Sequence, residues 1–271
     1  MIKTLLKIEW RKVSRNRIFW MMLLINIIAL ILAFLGMQTL LTNANKSLQD
    51  SGVSGIPLLP AKIFIFPHIW HNITFVARFF KVFLAVVMII LVTNEYSYNT
   101  LRQNLITGLS RIQLIESKVI DAIILSATIT LIILLFGLIA GIFNSSDYSL
   151  WDIVRKMNYL AAYFLMSLSF LSFAMMLAFI VKKAAPTIMI LLVYSYILEL
   201  IPAFKFSDTF GPFLPLRSIN LLIEAPNTPV FELLNISSAT SGIPFDKIIV
   251  VSIYTFIYWA VSYVVISKRD L

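Results

Sequence analysis

The sequence predicts an all-α, polytopic membrane protein, and three observations carry that prediction. Of 271 residues, 60% are hydrophobic and only 13% are charged, far from the usage of soluble domains. Six apolar runs, at about 18–40, 73–92, 119–143, 159–181, 184–204 and 248–266, each approach the roughly 20 residues that a helix needs to cross a hydrocarbon core of ~30 Å. None of the runs alternates with period two, which excludes a lipid-facing β-barrel. The expectation is therefore one transmembrane domain over 1–271, with six transmembrane helices.

In chain order, residues 1–17 come first. Lys3, Lys7, Arg11 and Arg15 recur every four positions, and Ile2, Leu5, Leu6, Trp10 and Val13 fill the remaining arc as an apolar stripe. This pattern suits an interfacial helix lying flat on the inner leaflet; a plain positive-inside topology signal is the alternative. The apolar run after it is too long for the h-region of a signal peptide, so it reads as a retained span. The second span opens with Arg78 and Lys81, expected to snorkel to an interface. Just before it, His68 and His71 flank Trp70. Two imidazoles with no acid or thiol nearby do not complete a metal site, and the cluster reads as an interfacial aromatic belt.

The third span carries Gly137 and Gly141, a spacing that permits close helix approach, more naturally within the chain than between chains. Asp121 lies near its start. The fifth span has Pro186 in its first turn and Glu199 and Pro202 near its outer end. Glu199 either faces a path through the membrane or reaches headgroup water. Residues 205–247 form a proline-rich outer region in which 216–225 and 228–237 read as short helices that cap such a path.

Orientation rests on charge. Thirteen of the 22 lysines and arginines fall in the N-terminal segment, 93–118, 182–183 and the C-terminus, so both termini are expected in the cytoplasm. The net charge of +9 then sits against anionic headgroups and implies no nucleic-acid partner. With no cysteine, neither disulfides nor thiol chemistry is available.

Residues 93–118 form the most informative connection, at whose centre stands EYSYNTLRQNLITGLSR, 95–111. Tyr98, Leu101, Leu105, Leu109 and Ile112 fall on one side of a helical wheel, and Asn99, Gln103, Asn104, Thr107 and Arg111 on another. The segment is too polar and too short to span, and is longer than a simple turn requires. It reads as a cytoplasmic surface helix, with Gly108 ending it, Ser110 capping the next helix and Lys118 anchoring the third span.

The succession Glu95, Thr100-Leu101-Arg102, Leu105, Ser110-Arg111 and Lys118 resembles the first cytoplasmic loop of the ABC-2 type permeases, the membrane subunits of one class of ATP-driven transporters. That family commonly has Gly-Thr-Leu-Arg and Pro-x-Ser-Arg here; Asn99 stands where Gly is usual, and Gly108 near where Pro is usual. The basic N-terminal helix, the six spans, the long outer segment and the basic end at Lys268-Arg269 are similar to the family's layout.

The resemblance implies a coupling helix in 93–118 that docks on a separate ABC ATPase subunit, and a second permease chain, identical or different, around the transport path. Arg102 and Arg111 would make polar contacts with the ATPase. Leu101 and Leu105 would fill its groove, Thr100 belongs to the motif, and Glu95 would tie the loop to the N-terminal helix. It further implies export of an amphipathic, peptide or lipid-linked substrate across a bacterial inner membrane, with ATP and Mg held by the partner and no cofactor in this chain.

The residues themselves agree that the motor lies elsewhere, since no Gly-x-x-x-x-Gly-Lys occurs. Sparse intramembrane charge disfavours an ion-coupled carrier. A non-transporting membrane scaffold anchoring a cytoplasmic assembly remains the competing reading.

Overall fold

The structure, a computed structural model, describes residues 10–11, 13–50, 64–98, 100–106, 108, 110–145, 147–206, 210–226 and 242–268. It is helical, with no strand among the described residues. The helices are α1 (Arg17–Asp50), α2 (Ile69–Ala77), α3 (Lys81–Ser97), α4 (Thr100–Ile106), α5 (Arg111–Asn144), α6 (Leu150–Val154), α7 (Asn158–Val181), α8 (Ala184–Val193), α9 (Leu200–Lys205), α10 (Pro215–Asn220) and α11 (Phe245–Ser267). Among the described residues, four stretches, Arg17–Thr39, Arg111–Asn144, Leu150–Val181 and Phe245–Ser267, are long and apolar enough to cross a membrane; α2 and α3 add a fifth if counted as one bent span.

Local chemistry sets the helix starts. Asn16 turns the chain into α1, its Oδ1 accepting the Ile18 N–H at 2.9 Å. Ser110 and Gln113 form a capping box at α5, each side chain accepting from the other's backbone N–H at 3.2 and 2.9 Å. Ser149 and Asp152 do the same at α6. Because α3 runs on through polar residues to Ser97 and the capped turn at Ser110 starts α5 ahead of its apolar core, the connection between them is only 98–110, within the 93–118 read from the sequence. Gly108 lies in this connection at φ 101°, in the left-handed region that favours glycine.

Helix α7 is the hub, packing on α11, α3 and α5. Tyr163, Met166, Phe170, Ala174 and Phe179 are buried along it. Its serines keep the approach close, and Ser172 Oγ accepts the Trp259 indole N–H of α11 at 2.9 Å.

The second apolar run, read from about 73, lies in two helices, α2 from Ile69 and α3 from Lys81, which meet at 49° across 78–80. No proline or glycine causes the bend. The chain turns there through tighter bonds, the Phe80 N–H donating to Ala77 O at 3.0 Å and the Phe83 N–H to Phe80 O at 3.1 Å, and side chains of neighbouring helices donate to the same two carbonyls: Asn26 Nδ2 of α1 to Phe80 O at 3.0 Å and Tyr163 Oη of α7 to Ala77 O at 3.3 Å. The fifth apolar run is also irregular. After α8 it passes through a π-helical turn, Tyr194–Leu198, before α9.

Two expectations about side chains change. Of the cluster read as a belt, His68 is exposed but Trp70 and His71 are covered by the chain itself: Trp70 is fully buried, its indole N–H donating to Ile153 O at 2.6 Å, and buried His71 stacks on Tyr159 at 4.1 Å. Trp70 fits because α5 presents Gly137, where an added Cβ would lie 2.7 Å from the indole ring; Gly141 receives the Phe66 ring in the same way. These glycines thus serve packing within the chain. Arg78 and Lys81, expected to snorkel, turn instead toward α10 and its following turn. In the outer region α10 covers only part of 216–225, and 228–237 lies outside the described residues.

Candidate functional site

The connection around α4 is fixed from below by a buried charge cluster. On α3, Glu95 Oε1 meets Lys118 Nζ of α5 at 2.7 Å, and Lys118 meets Asp121 Oδ2 one turn along at 3.1 Å. Lys118 is 1% exposed and Asp121 is fully buried. Two carboxylates this close offset the cost of burying the Lys118 ammonium, so this cluster ties the end of α3 to the start of α5 and sets the spacing that α4 bridges. Thr100 Oγ1 reaches back to Glu95 O at 3.4 Å. A cavity of about 330 Å³, lined by Glu95, Tyr98, Thr100, Gln103 and Lys118 among others, lies beside the cluster.

The residues singled out from the sequence take different places around this support. Leu101 is 2% exposed and belongs to the chain's own core, so in this structure it points inward. The side chains of Arg102 and Leu105 lie outside the described residues. Arg111 donates through one guanidinium nitrogen to Ile266 O, at 2.9 Å, and to Ser267 O, and so caps the carboxyl end of α11. Glu95 has a cation partner on α5; Lys7 of the N-terminal segment lies outside the described residues, as does Lys3. Trp10, Arg11 and Arg15 are exposed.

Among the described residues the stretch exposes polar Ser97, Gln103 and Ser110, and apolar groups beside them. Tyr98 and Ile106 are 71% and 76% exposed, and Ile112 is also exposed. Ile106 stands outside the motif read from the sequence. Its signal there is an isoleucine seven residues after Asn99, hence on the otherwise polar arc of the helix.

Glu199 lies far along the chain from this site. It is buried, and its Oε1 accepts the Arg217 backbone N–H at 2.6 Å, holding the amino-terminal turn of α10 against the fifth apolar run.

Comparison with known proteins places this arrangement. No curated protein matches the chain. A sequence model described as ABC-2 family transporter protein matches residues 5–198. The match runs from the N-terminal segment through α1–α8 to the π-helical turn, and so takes in the α4 connection and its charge cluster. With long apolar helices packed around a central one, and more than half of the sequence covered by the family, the chain belongs to the ABC-2 family of membrane-spanning transporter proteins.

Proposed function

We propose that this chain is the permease subunit of an ABC exporter, driven by a separate ATPase subunit that docks on the α4 connection. The observation that carries the reading is the exposed apolar pair Tyr98, at the end of α3, and Ile106, at the end of the short helix α4, whose two flanking helices are locked together by Glu95, Lys118 and Asp121. Apolar groups exposed at the watery end of a membrane bundle suit a partner's groove, and a rigid base lets force on the loop reach the spans. Arg102 and Leu105 belong to the same docking surface. Leu101 acts from inside as its support, and Arg111 joins it to the last span.

The topology that goes with this function has six spans, both termini in the cytoplasm of a bacterial inner membrane, and a second permease chain completing the path. The six are α1, the broken pair α2–α3, α5, α7, the run from α8 through α9, and α11. Residues 1–17 form the interfacial helix on the inner leaflet, supported by the exposure of Trp10, Arg11 and Arg15. ATP and Mg belong to the partner. The substrate class is amphipathic: a peptide or a lipid-linked compound.

The test is affinity purification of the tagged chain from its native membranes. Wild type is expected to bring down an ATP-hydrolysing subunit. Ile106→Asp with Tyr98→Asp would place charges in an apolar groove at about 3 kcal/mol, roughly a 100-fold loss of affinity. The partner and its ATPase activity should then be lost while the chain still inserts. Purification of wild type without any ATPase, or retention of the partner by the double variant, would refute the docking assignment.

A further inference from the structure

At the other end of α3 lies a cavity of about 500 Å³ between the α2–α3 break, the π-helical turn and α10. Three cations line it: Arg78, Lys81 and Arg217. Arg78 donates to Ile223 O at 2.9 Å and lies over the Phe75 ring at 4.0 Å. Lys81, 7% exposed, donates to Asn220 Oδ1 at 2.6 Å and lies near the Phe170 ring at 4.8 Å. Among the described residues, none of the three has a carboxylate within 4 Å. Two carboxylates adjoin: Glu224 lines the wall, and Glu199 is engaged by the Arg217 backbone N–H. Cations therefore outnumber carboxylates around the cavity, and Lys81 among them is buried.

Depth and shape add to charge. Lys81 opens the 17-residue α3, whose length is about 25 Å. With Ser97 at one interface of a ~30 Å core, Lys81 lies within about one helical turn of the other, where lipid phosphates sit. Phe79 and Tyr196, both exposed, line the same cavity, and exposed Ile197 follows on the π turn. An irregular turn of this kind costs helix stability and is often found where a helix wall meets a ligand. Cationic depth beside an exposed apolar flank matches a molecule with an anionic head and an apolar tail.

We infer that this cavity binds a phosphate group, that of an anionic lipid headgroup, with Arg78, Lys81 and Arg217 as its cationic wall and Phe79 and Tyr196 against the acyl chain. Arginine offers paired donors to phosphate oxygens, and a bound anion offsets the cost of holding Lys81 away from water. The inference concerns binding alone and holds without an ATPase partner.

Native mass spectrometry of the full chain, delipidated in a non-ionic detergent and titrated with defined lipids, tests it. Phosphatidylglycerol should bind at least tenfold more tightly than phosphatidylcholine. Lys81→Met with Arg217→Gln should reduce that preference to less than threefold, while Lys81→Arg keeps it and Lys205→Gln, an exposed cation outside the cavity, leaves it unchanged. Should the double variant fail to fold, Arg217→Gln alone, whose side chain makes no hydrogen bond among the described residues, should lower the preference at least threefold. Glycerol 3-phosphate separates the sources: displacement of lipid at millimolar concentration means that the phosphate alone is recognised, and failure to displace means that the acyl chain contributes. Equal binding of the two lipids with no binding of glycerol 3-phosphate, or a preference unmoved by the variants, would overturn the assignment.

Discussion

At the loop end of α3, Lys118 lies between Glu95 and Asp121 at 2.7 and 3.1 Å, whereas at the opposite end Lys81, almost as deeply buried, meets an amide oxygen and an aromatic ring. Both lysines are on or beside the same helix and in the same kind of solvent. The first is neutralised by its own chain, which makes it part of the frame. The second is left with affinity for an anion. Buried charge that is paired internally holds two helices in register, and buried charge that is not so paired marks where something else binds.

The strongest way to break the comparison is Lys118→Met. It leaves Glu95 and Asp121 buried beside an apolar side chain, and a destabilisation of about 3–5 kcal/mol is expected, read as a lower midpoint in thermal or denaturant unfolding of the purified chain. Adding Glu95→Gln and Asp121→Asn should recover most of that loss, because neither carboxylate is then left buried without Lys118. Recovery would show that pairing, rather than the lysine's bulk, is what the cluster supplies.

A smaller loss is expected from Gly137→Ala. The end of α5 away from the α4 connection is held by packing, with Trp70 pressed on bare backbone, and a new Cβ 2.7 Å from the ring must displace it. About 1–3 kcal/mol is the usual cost of such overpacking. An unchanged unfolding midpoint would mean that α2 does not seat on α5 as described.

Smallest of all is Lys81→Met. With no close carboxylate to strand, this change should shift stability by less than about 1 kcal/mol, in either direction, in the same detergent. A loss as large as that for Lys118→Met would erase the distinction between the two ends.

Parts of this arrangement are legible in the sequence. Ser110 with Gln113 is a capping pair at fixed spacing, and Lys118 with Asp121 stand three apart on one helix, so both come from local geometry. Glu95 belongs to the same cluster, but it is on another helix, and nothing in its neighbourhood says which lysine it meets. The break at 78–80 is invisible for a related reason: it contains no proline or glycine, and the side chains that add hydrogen bonds to its carbonyls, Asn26 and Tyr163, come from distant parts of the chain. Arg78, Lys81 and Trp70 read as interfacial because long cations and aromatics flanking an apolar run usually are; only the packing of α10 and α5 against them draws them inward. At α4, the wheel separates the faces but not which one is covered. Leu101 is buried by the helices around it, and Ile106, on the polar arc, is left in the open.

The claim that joins these observations is that the α4 connection and the α10 cavity lie on opposite sides of one membrane, linked by α3. The absence of native cysteine allows it to be measured directly, with single cysteines at exposed Ile106 and at exposed Phe213 and a membrane-impermeant maleimide. Ile106→Cys is expected to react only after the cells are permeabilised, and Phe213→Cys to react in intact cells. Labelling of both positions from the same side, or the reverse pattern, would contradict the account.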